Sequence, residues 1–150
     1  MRLTRSVSYA VGVLLQIDVL AGDGQITAAK IARGCRFPPR FIYRILRRLV
    51  AAGLLRGTSG PGGGYALAKS PKRITLLDII EAVESAPEPS VLKPVRASQR
   101  RAIATINRLC AHTARRFRAE LKRVKLSQLA GKLHAAKRRR RRAKSDPPSK

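Results

Sequence analysis

Between Arg40 and Val50 the apolar and charged positions separate onto opposite sides of a helix. Ile42, Ile45, Leu46, Leu49 and Val50 recur at i, i+3, i+4, i+7 and i+8, which makes one apolar face. Arg40, Arg44, Arg47 and Arg48 fall opposite, with Phe41 and Tyr43 at the borders. Pro38 and Pro39 open this helix, where a missing N–H costs nothing, and Gly53 closes it. Ahead of it, Thr27 is a suitable N-cap for a short helix through about Arg33, with Ala28, Ile31 and Ala32 facing inward. Gly34 is expected to end that helix as a left-handed terminal residue. Two short helices joined by a tight, glycine-containing turn form the helix-turn-helix pattern. A longer helix precedes them over residues 4–21. Thr4 is its candidate cap, and Tyr9, Ala10, Val13, Leu14, Ile17 and Leu20 lie near one face. Ala21-Gly22-Asp23-Gly24 is turn chemistry and stops it.

Downstream, Leu54-Leu55-Arg56 and Tyr65-Ala66-Leu67 are short strand candidates around the glycine-rich run from Gly57 to Gly64. The pair reads as a β-hairpin wing with a mobile tip, where glycine lets the backbone approach a phosphate and present N–H donors. A nucleotide-binding loop is excluded, because no Gly-Lys-Ser/Thr follows and the GxGxxG spacing is absent. A plain flexible hairpin stays open. Thr75 then caps a helix over Leu76 to Glu84, with Asp78 suited to the positive end of its dipole. Three prolines make 86–94 a loop. From Ala97 to Val124 the chain is helical again. Ile103, Ile106, Cys110, Thr113, Phe117 and Val124 form a narrow seam, with Leu109 and Leu121 beside it. Such a seam suits a partner helix, the same helix of a second subunit being the expected one and packing within one chain the alternative. The run Lys137 to Arg142 and the Pro/Ser-rich end read as a disordered tail for non-specific phosphate contact.

Composition sharpens this picture. Lys and Arg number 33 against 8 Asp and Glu, a net charge of +25, which points to a polyanionic partner. Only 4% of residues are aromatic, so aliphatic helix packing should dominate. No apolar run approaches the roughly 20 residues of a membrane span. Two cysteines, Cys35 and Cys110, make no disulfide framework, and a reducing, cytoplasmic setting is expected. The acids are too few and scattered for paired acid–base work, and no nucleophile–His–acid set appears, so an enzyme is not expected.

Taken together, these residues resemble the Rrf2 family of bacterial winged-helix regulators. The likeness begins at Met1-Arg2-Leu3-Thr4 with Tyr9-Ala10 and continues through Ile31-Ala32 and Leu46 to Leu55. It is strongest at Gly60-Pro61-Gly62-Gly63-Gly64-Tyr65 with Leu67-Ala68, then at Ile74-Thr75-Leu76 and Ile79 to Glu84. It weakens after Pro87, although Leu126 to Leu129 is similar to the family's motif after the long helix. The resemblance implies a dimeric transcription factor, usually a repressor, with its second helix-turn-helix helix in the major groove and its wing in the minor groove. The chain also departs from the family. Many members hold an iron–sulfur cluster with three cysteines in the loop before the long helix, and here that loop has none, so no cofactor is expected. Phe41-Ile42-Tyr43-Arg44 replaces a common Tyr-Leu-Glu-Gln run, and Ser59 stands where a basic residue often precedes the Gly-Pro turn.

The expected architecture is therefore mainly α. It comprises a winged helix-turn-helix over 1–85 with a two-stranded β wing, a loop over 86–96, a C-terminal dimerisation helix over 97–131 and a basic tail over 132–150. The expected function is that of a sequence-specific, nucleoid-associated regulator that binds double-stranded DNA as a homodimer through helix 97–124, on a palindromic site. Its expected contact residues are Thr27, Pro39, Arg40, Tyr43, Arg44, Arg47 and Arg48, with Ser59, Gly60, Gly62 and Gly63 on the wing. The alternative is a general RNA- or nucleoid-binding basic protein, which the tail and the charge favour. A metal or redox sensor is a third reading, with a redox role open for Cys35 beside Arg33 and Arg36.

Overall fold

In the computed structural model, which describes residues 4–21, 24–35, 37–84 and 91–131, an N-terminal helical body leads into a long helix. The order is α1 (Arg5–Ala21), α2 (Ala28–Cys35), α3 (Pro39–Ala51), β1 (Leu55–Thr58), β2 (Gly64–Leu67), α4 (Leu76–Val83), a single 3-10 turn (Ala97–Gln99) and α5 (Arg100–Arg123). No helix among the described residues is long and apolar enough to cross a membrane. The basic tail and residues 86–90 of the loop fall outside the described residues.

The core is aliphatic. Val7, Ala10, Val13, Leu14 and Ile17 of α1 meet Ile31 of α2, Ile42, Ile45, Leu46 and Leu49 of α3, and Leu77, Ile79, Ile80 and Val83 of α4. Each Val, Leu or Ile among them contributes about 1.5–3 kcal/mol relative to an exposed one. Two positions depart from the periodic pattern. Leu20 and Val50 lie 39% and 37% exposed, each near the C-terminal end of its helix, where the apolar face runs past the packed body.

Local chemistry sets the helix limits. Thr4 accepts from the Ser6 amide at 3.1 Å, and Thr27 accepts from the Lys30 amide at 3.4 Å. Thr75 and Asp78 form a reciprocal capping box at the start of α4. At the end of α3 the Leu54 amide donates to the Leu49 carbonyl and the Gly53 amide to that of Val50, with Gly53 at φ 66°. This is a Schellman closure, which a Cβ at Gly53 would strain. Gly34 does not end α2, which runs on through Cys35. A Cβ at Gly34 would lie 2.3 Å from the amide end of the Gln16 side chain of α1, a flexible group that would have to swing aside.

The wing is a two-stranded antiparallel sheet pairing Leu55 with Leu67 and Thr58 with Gly64. It is longer than Leu54–Arg56 and Tyr65–Leu67, because pairing continues through Gly57 and Thr58. Ile26 adds an isolated bridge on the far side of β2, exchanging both backbone hydrogen bonds with Tyr65 at 2.9 and 2.8 Å. The segment before α2 is thereby locked to the wing.

The C-terminal helix is not continuous from 97 to 131. It stops at Arg123, Val124 is extended, and residues 126–131 form a separate helical turn. The break is a backbone exchange with the start of α4. The Leu76 amide donates to the Val124 carbonyl, and the Leu126 amide donates to the Ile74 carbonyl, both at 2.9 Å. Leu121, Leu126 and Ala130 are buried around this bridge, which pins the C-terminal end of α5 to the winged body.

Candidate nucleic-acid interface

Three parts of the chain meet around one open cleft of about 840 Å³. They are the start of α2 (Thr27, Ala28), the outer side of α3 (Tyr43, Arg47, Val50) and the wing (Gly57 to Gly60, and Gly63 to Tyr65). Of the residues expected at the contact, Thr27, Tyr43, Arg47, Ser59, Gly60 and Gly63 line it. Tyr43 is 59% exposed although it is a large aromatic side chain, so its ring is presented to solvent rather than to the core. Val50, expected in the core, instead forms part of the cleft wall.

The wing tip is held in a definite shape. The Gly63 amide donates to the Gly60 carbonyl at 2.9 Å across Pro61 and Gly62, and Gly62 has φ 78°. Proline second and a positive-φ glycine third define a type II turn. Gln25 donates from its side-chain amide to the Thr58 hydroxyl at 2.9 Å, bracing β1 from the helix-turn-helix side.

On α3, Arg40, Tyr43, Arg44 and Arg47 are all exposed and fall at i, i+3, i+4 and i+7, a continuous outer strip. Pro39 supplies the first helical position, as expected. Arg48 departs from the strip. Its guanidinium donates to the Val83 carbonyl at the end of α4, so this arginine is engaged within the chain. It stands in the last turn of α3, within reach of the end of α4, and the last carbonyls of a helix attract a cation.

Sequence periodicity did not reveal what steadies the strip. Phe41 is half-buried, and its ring sits 5.8 Å from that of Tyr9, which in turn lies 4.3 Å from that of Phe37. The guanidinium carbons of Arg40 and Arg44 stand 5.0 and 5.4 Å from the centre of the Phe41 ring. One ring thus orients two cations, each contact worth about 0.5–1 kcal/mol at an exposed site. The Arg-Phe spacing was legible, but the ladder back to α1 needs the fold. Replacing Phe41 by leucine keeps the volume apolar and removes the π face. Thermal stability should fall modestly, by about 1 kcal/mol, while affinity for a selected DNA site drops several-fold in a fluorescence anisotropy titration.

Cys35 is half-buried, and burial pushes its thiol up from the ordinary value. That disfavours the thiolate, against the lowered value expected from neighbouring arginines. Cys110 is exposed on α5 and not packed in a core.

A helix-turn-helix whose second helix faces a β wing across an open cleft defines a winged helix-turn-helix protein. The comparisons agree with that class and narrow it. A model of the Rrf2 family, described as iron-dependent transcriptional regulators, matches residues 3–132, and the chain belongs to this family, which is one of regulators and not of enzymes. It is 39% identical over 84 residues to BadM of Rhodopseudomonas palustris, covering 56% of this chain and 53% of that protein. It is 32% identical over 84 residues to the HTH-type transcriptional regulator IscR of Xenorhabdus nematophila, covering 56% of this chain and 51% of that protein. The chain thus spans about half the length of the curated relatives it matches. Among solved structures, CymR, the global cysteine regulator of B. subtilis, superposes with a TM-score of 0.64 at 21% identity, over 87% of this chain and 97% of that one. T. potens IscR does so with a TM-score of 0.64 at 20% identity, over 91% and 90%.

The family's description names iron, and the donors of this chain do not fit it. The whole sequence holds two cysteines, one half-buried in α2 and one exposed on α5. Among the described residues no group of three or more His, Cys, Asp or Glu side chains converges. Thiolates must meet within a few ångströms to hold a cluster.

Proposed function

We propose that this protein is a sequence-specific DNA-binding regulator that acts as a homodimeric repressor on a palindromic site in the bacterial nucleoid. One observation carries the reading. The outer strip Arg40, Tyr43, Arg44 and Arg47 stands exposed beside a wing held in a fixed turn, with a cleft between them. In this reading α3 lies in the major groove, where an arginine fork matches the acceptor pair on a guanine edge. Tyr43 and Arg47 face the groove wall with Thr27 at the phosphates. Ser59, Gly60, Gly62 and Gly63 ride on the neighbouring backbone or minor groove, Ser59 contributing a hydroxyl in place of a cation. Two copies related by a two-fold axis read two half-sites about one helical turn apart.

Arg44 is the assigned base-reading residue. Selection of sites from random DNA should return a two-fold symmetric motif for the wild type. Arg44→Ala should lose about 1–3 kcal/mol on that site and relax one position in each half-site. A motif unchanged in Arg44→Ala removes this role. Failure of the wild type to select any motif, with equal affinity for random RNA, would replace the reading with that of a general nucleic-acid coating protein.

A further inference from the structure

The outer side of α5 carries a pattern that the cleft leaves unexplained. The helix holds eight arginines and lysines against one acid over 24 residues. Only two of the eight have acidic partners among the described residues, Arg118 with Glu81 and Arg123 with Glu120. Of the others, Arg101, Arg108, Arg115 and Lys122 recur every seventh residue, and Thr105, His112 and Ala119 fill the intervening positions. All seven of these residues are exposed. Two other sides of α5 are already distinct. Phe117 and Leu121 pack on the chain's own core, and Ile106, Leu109 and Cys110 form the exposed apolar stripe. The basic stripe therefore lies off both.

Its dimensions indicate what it fits. Twenty-one residues at about 1.5 Å each carry the charges along roughly 32 Å of helix axis. That is close to one turn of duplex DNA, about 34 Å, which presents one negative charge per 1.7 Å or so. Thr105 and Ala119 are short and His112 is polar, so no bulky apolar group stands between the cations and a phosphate backbone. The cations sit on a rigid helix, whose C-terminal end is fixed to the winged body through the Leu76–Val124 and Ile74–Leu126 hydrogen bonds. They therefore form a preset line of charge.

We infer that this stripe, Arg101, Arg108, Arg115 and Lys122, is a second duplex-DNA surface that binds the phosphate backbone without reading sequence. The inference rests on the proposed DNA-binding reading and adds a surface to it. It gives the protein two kinds of contact: a specific one at α3 and the wing, and an electrostatic one along α5.

The test uses the full chain and a triple variant, Arg101→Gln/Arg108→Gln/Arg115→Gln, checked for unchanged helix content by circular dichroism. A second variant, Arg108→Glu/Arg115→Glu, guards against compensation by other basic residues. Binding to a random-sequence 40-base-pair duplex and to a 40-nucleotide single-stranded RNA is titrated by fluorescence anisotropy from about 50 to 300 mM KCl. Each lost phosphate contact lowers the slope of log affinity against log salt by about 0.9 on duplex DNA. The triple variant should therefore lose about 2–3 from the duplex slope, the reversed pair should lose more affinity than its two charges alone, and the motif from site selection should be unchanged. A duplex slope equal to wild type in both variants overturns the inference while leaving the α3 reading intact. Loss confined to the RNA overturns the assignment to duplex. A wild type that binds no duplex at all fails the underlying reading instead.

Discussion

Gly64→Ala should cost about 3 kcal/mol of stability and disconnect the wing from the helix-turn-helix. A Cβ at this position would sit 2.7 Å from the carbonyl carbon and oxygen of Ile26, both backbone atoms with no side-chain freedom to yield. Overpacking of this kind costs about 1–3 kcal/mol. Relief by separation would break the paired Ile26–Tyr65 hydrogen bonds, at about 1 kcal/mol each. The functional consequence follows from position. Gly63, Gly64 and Tyr65 form the wing side of the cleft, and the start of α2 forms its floor at Thr27. Urea unfolding of the full chain should show a lowered midpoint at an unchanged slope, and binding to the selected site should weaken more than stability alone explains. Ser59→Ala, exposed on the same wing, is the control and should stay within about 0.5 kcal/mol of wild type. A wild-type midpoint for Gly64→Ala would mean that the bridge does not fix the wing.

Elements with a strong period or distinctive local chemistry were legible in the sequence. The 3.6-residue pattern of α3, the double proline before it, Gly53 after it and the Thr75–Asp78 box each act within a few residues, so their effect is visible in one dimension. The glycine run was legible as a turn. Its two roles were not, because Gly62 answers to a local φ and Gly64 to the distant backbone of Ile26. The same distinction explains Gly34. A glycine near a helix end reads as a terminator, yet here the helix runs on through Cys35 and the neighbour at Gly34 is the Gln16 side chain of another helix. Arg48 shows the limit at the candidate site. Periodicity places it with the other arginines, and only the packing of α4 beside α3 draws it to the Val83 carbonyl. The extended link at Val124 was equally hidden, since its hydrogen bonds go to a segment some fifty residues earlier in the chain.

The other large effect is expected on α5, where Ile106 and Leu109 stand 43% and 65% exposed. Val91, Leu92 and Val95, in the segment before the helix, are exposed as well. Asn107 holds the Leu92 backbone, accepting from its amide at 2.9 Å and donating to its carbonyl at 3.0 Å, so this segment is tied to the side of α5. A second copy of the same stripe is the proposed cover, and Ile106→Glu/Leu109→Glu is the test. Both side chains already face solvent, so the monomer should keep its helix content and unfolding midpoint. Across a two-fold interface each substitution occurs twice, and the four carboxylates would be forced together in an apolar setting. Sedimentation should show a dimer for the wild type and a monomer for the double variant. Uncoupling the two half-sites removes the second, effectively intramolecular binding step, which is worth about 10²–10⁴-fold. Affinity for the palindromic site should fall by that factor, while affinity for a single half-site stays near the wild-type monomer's. A double variant that remains dimeric and binds the palindrome normally would place the subunit contact elsewhere and leave this stripe without its proposed partner.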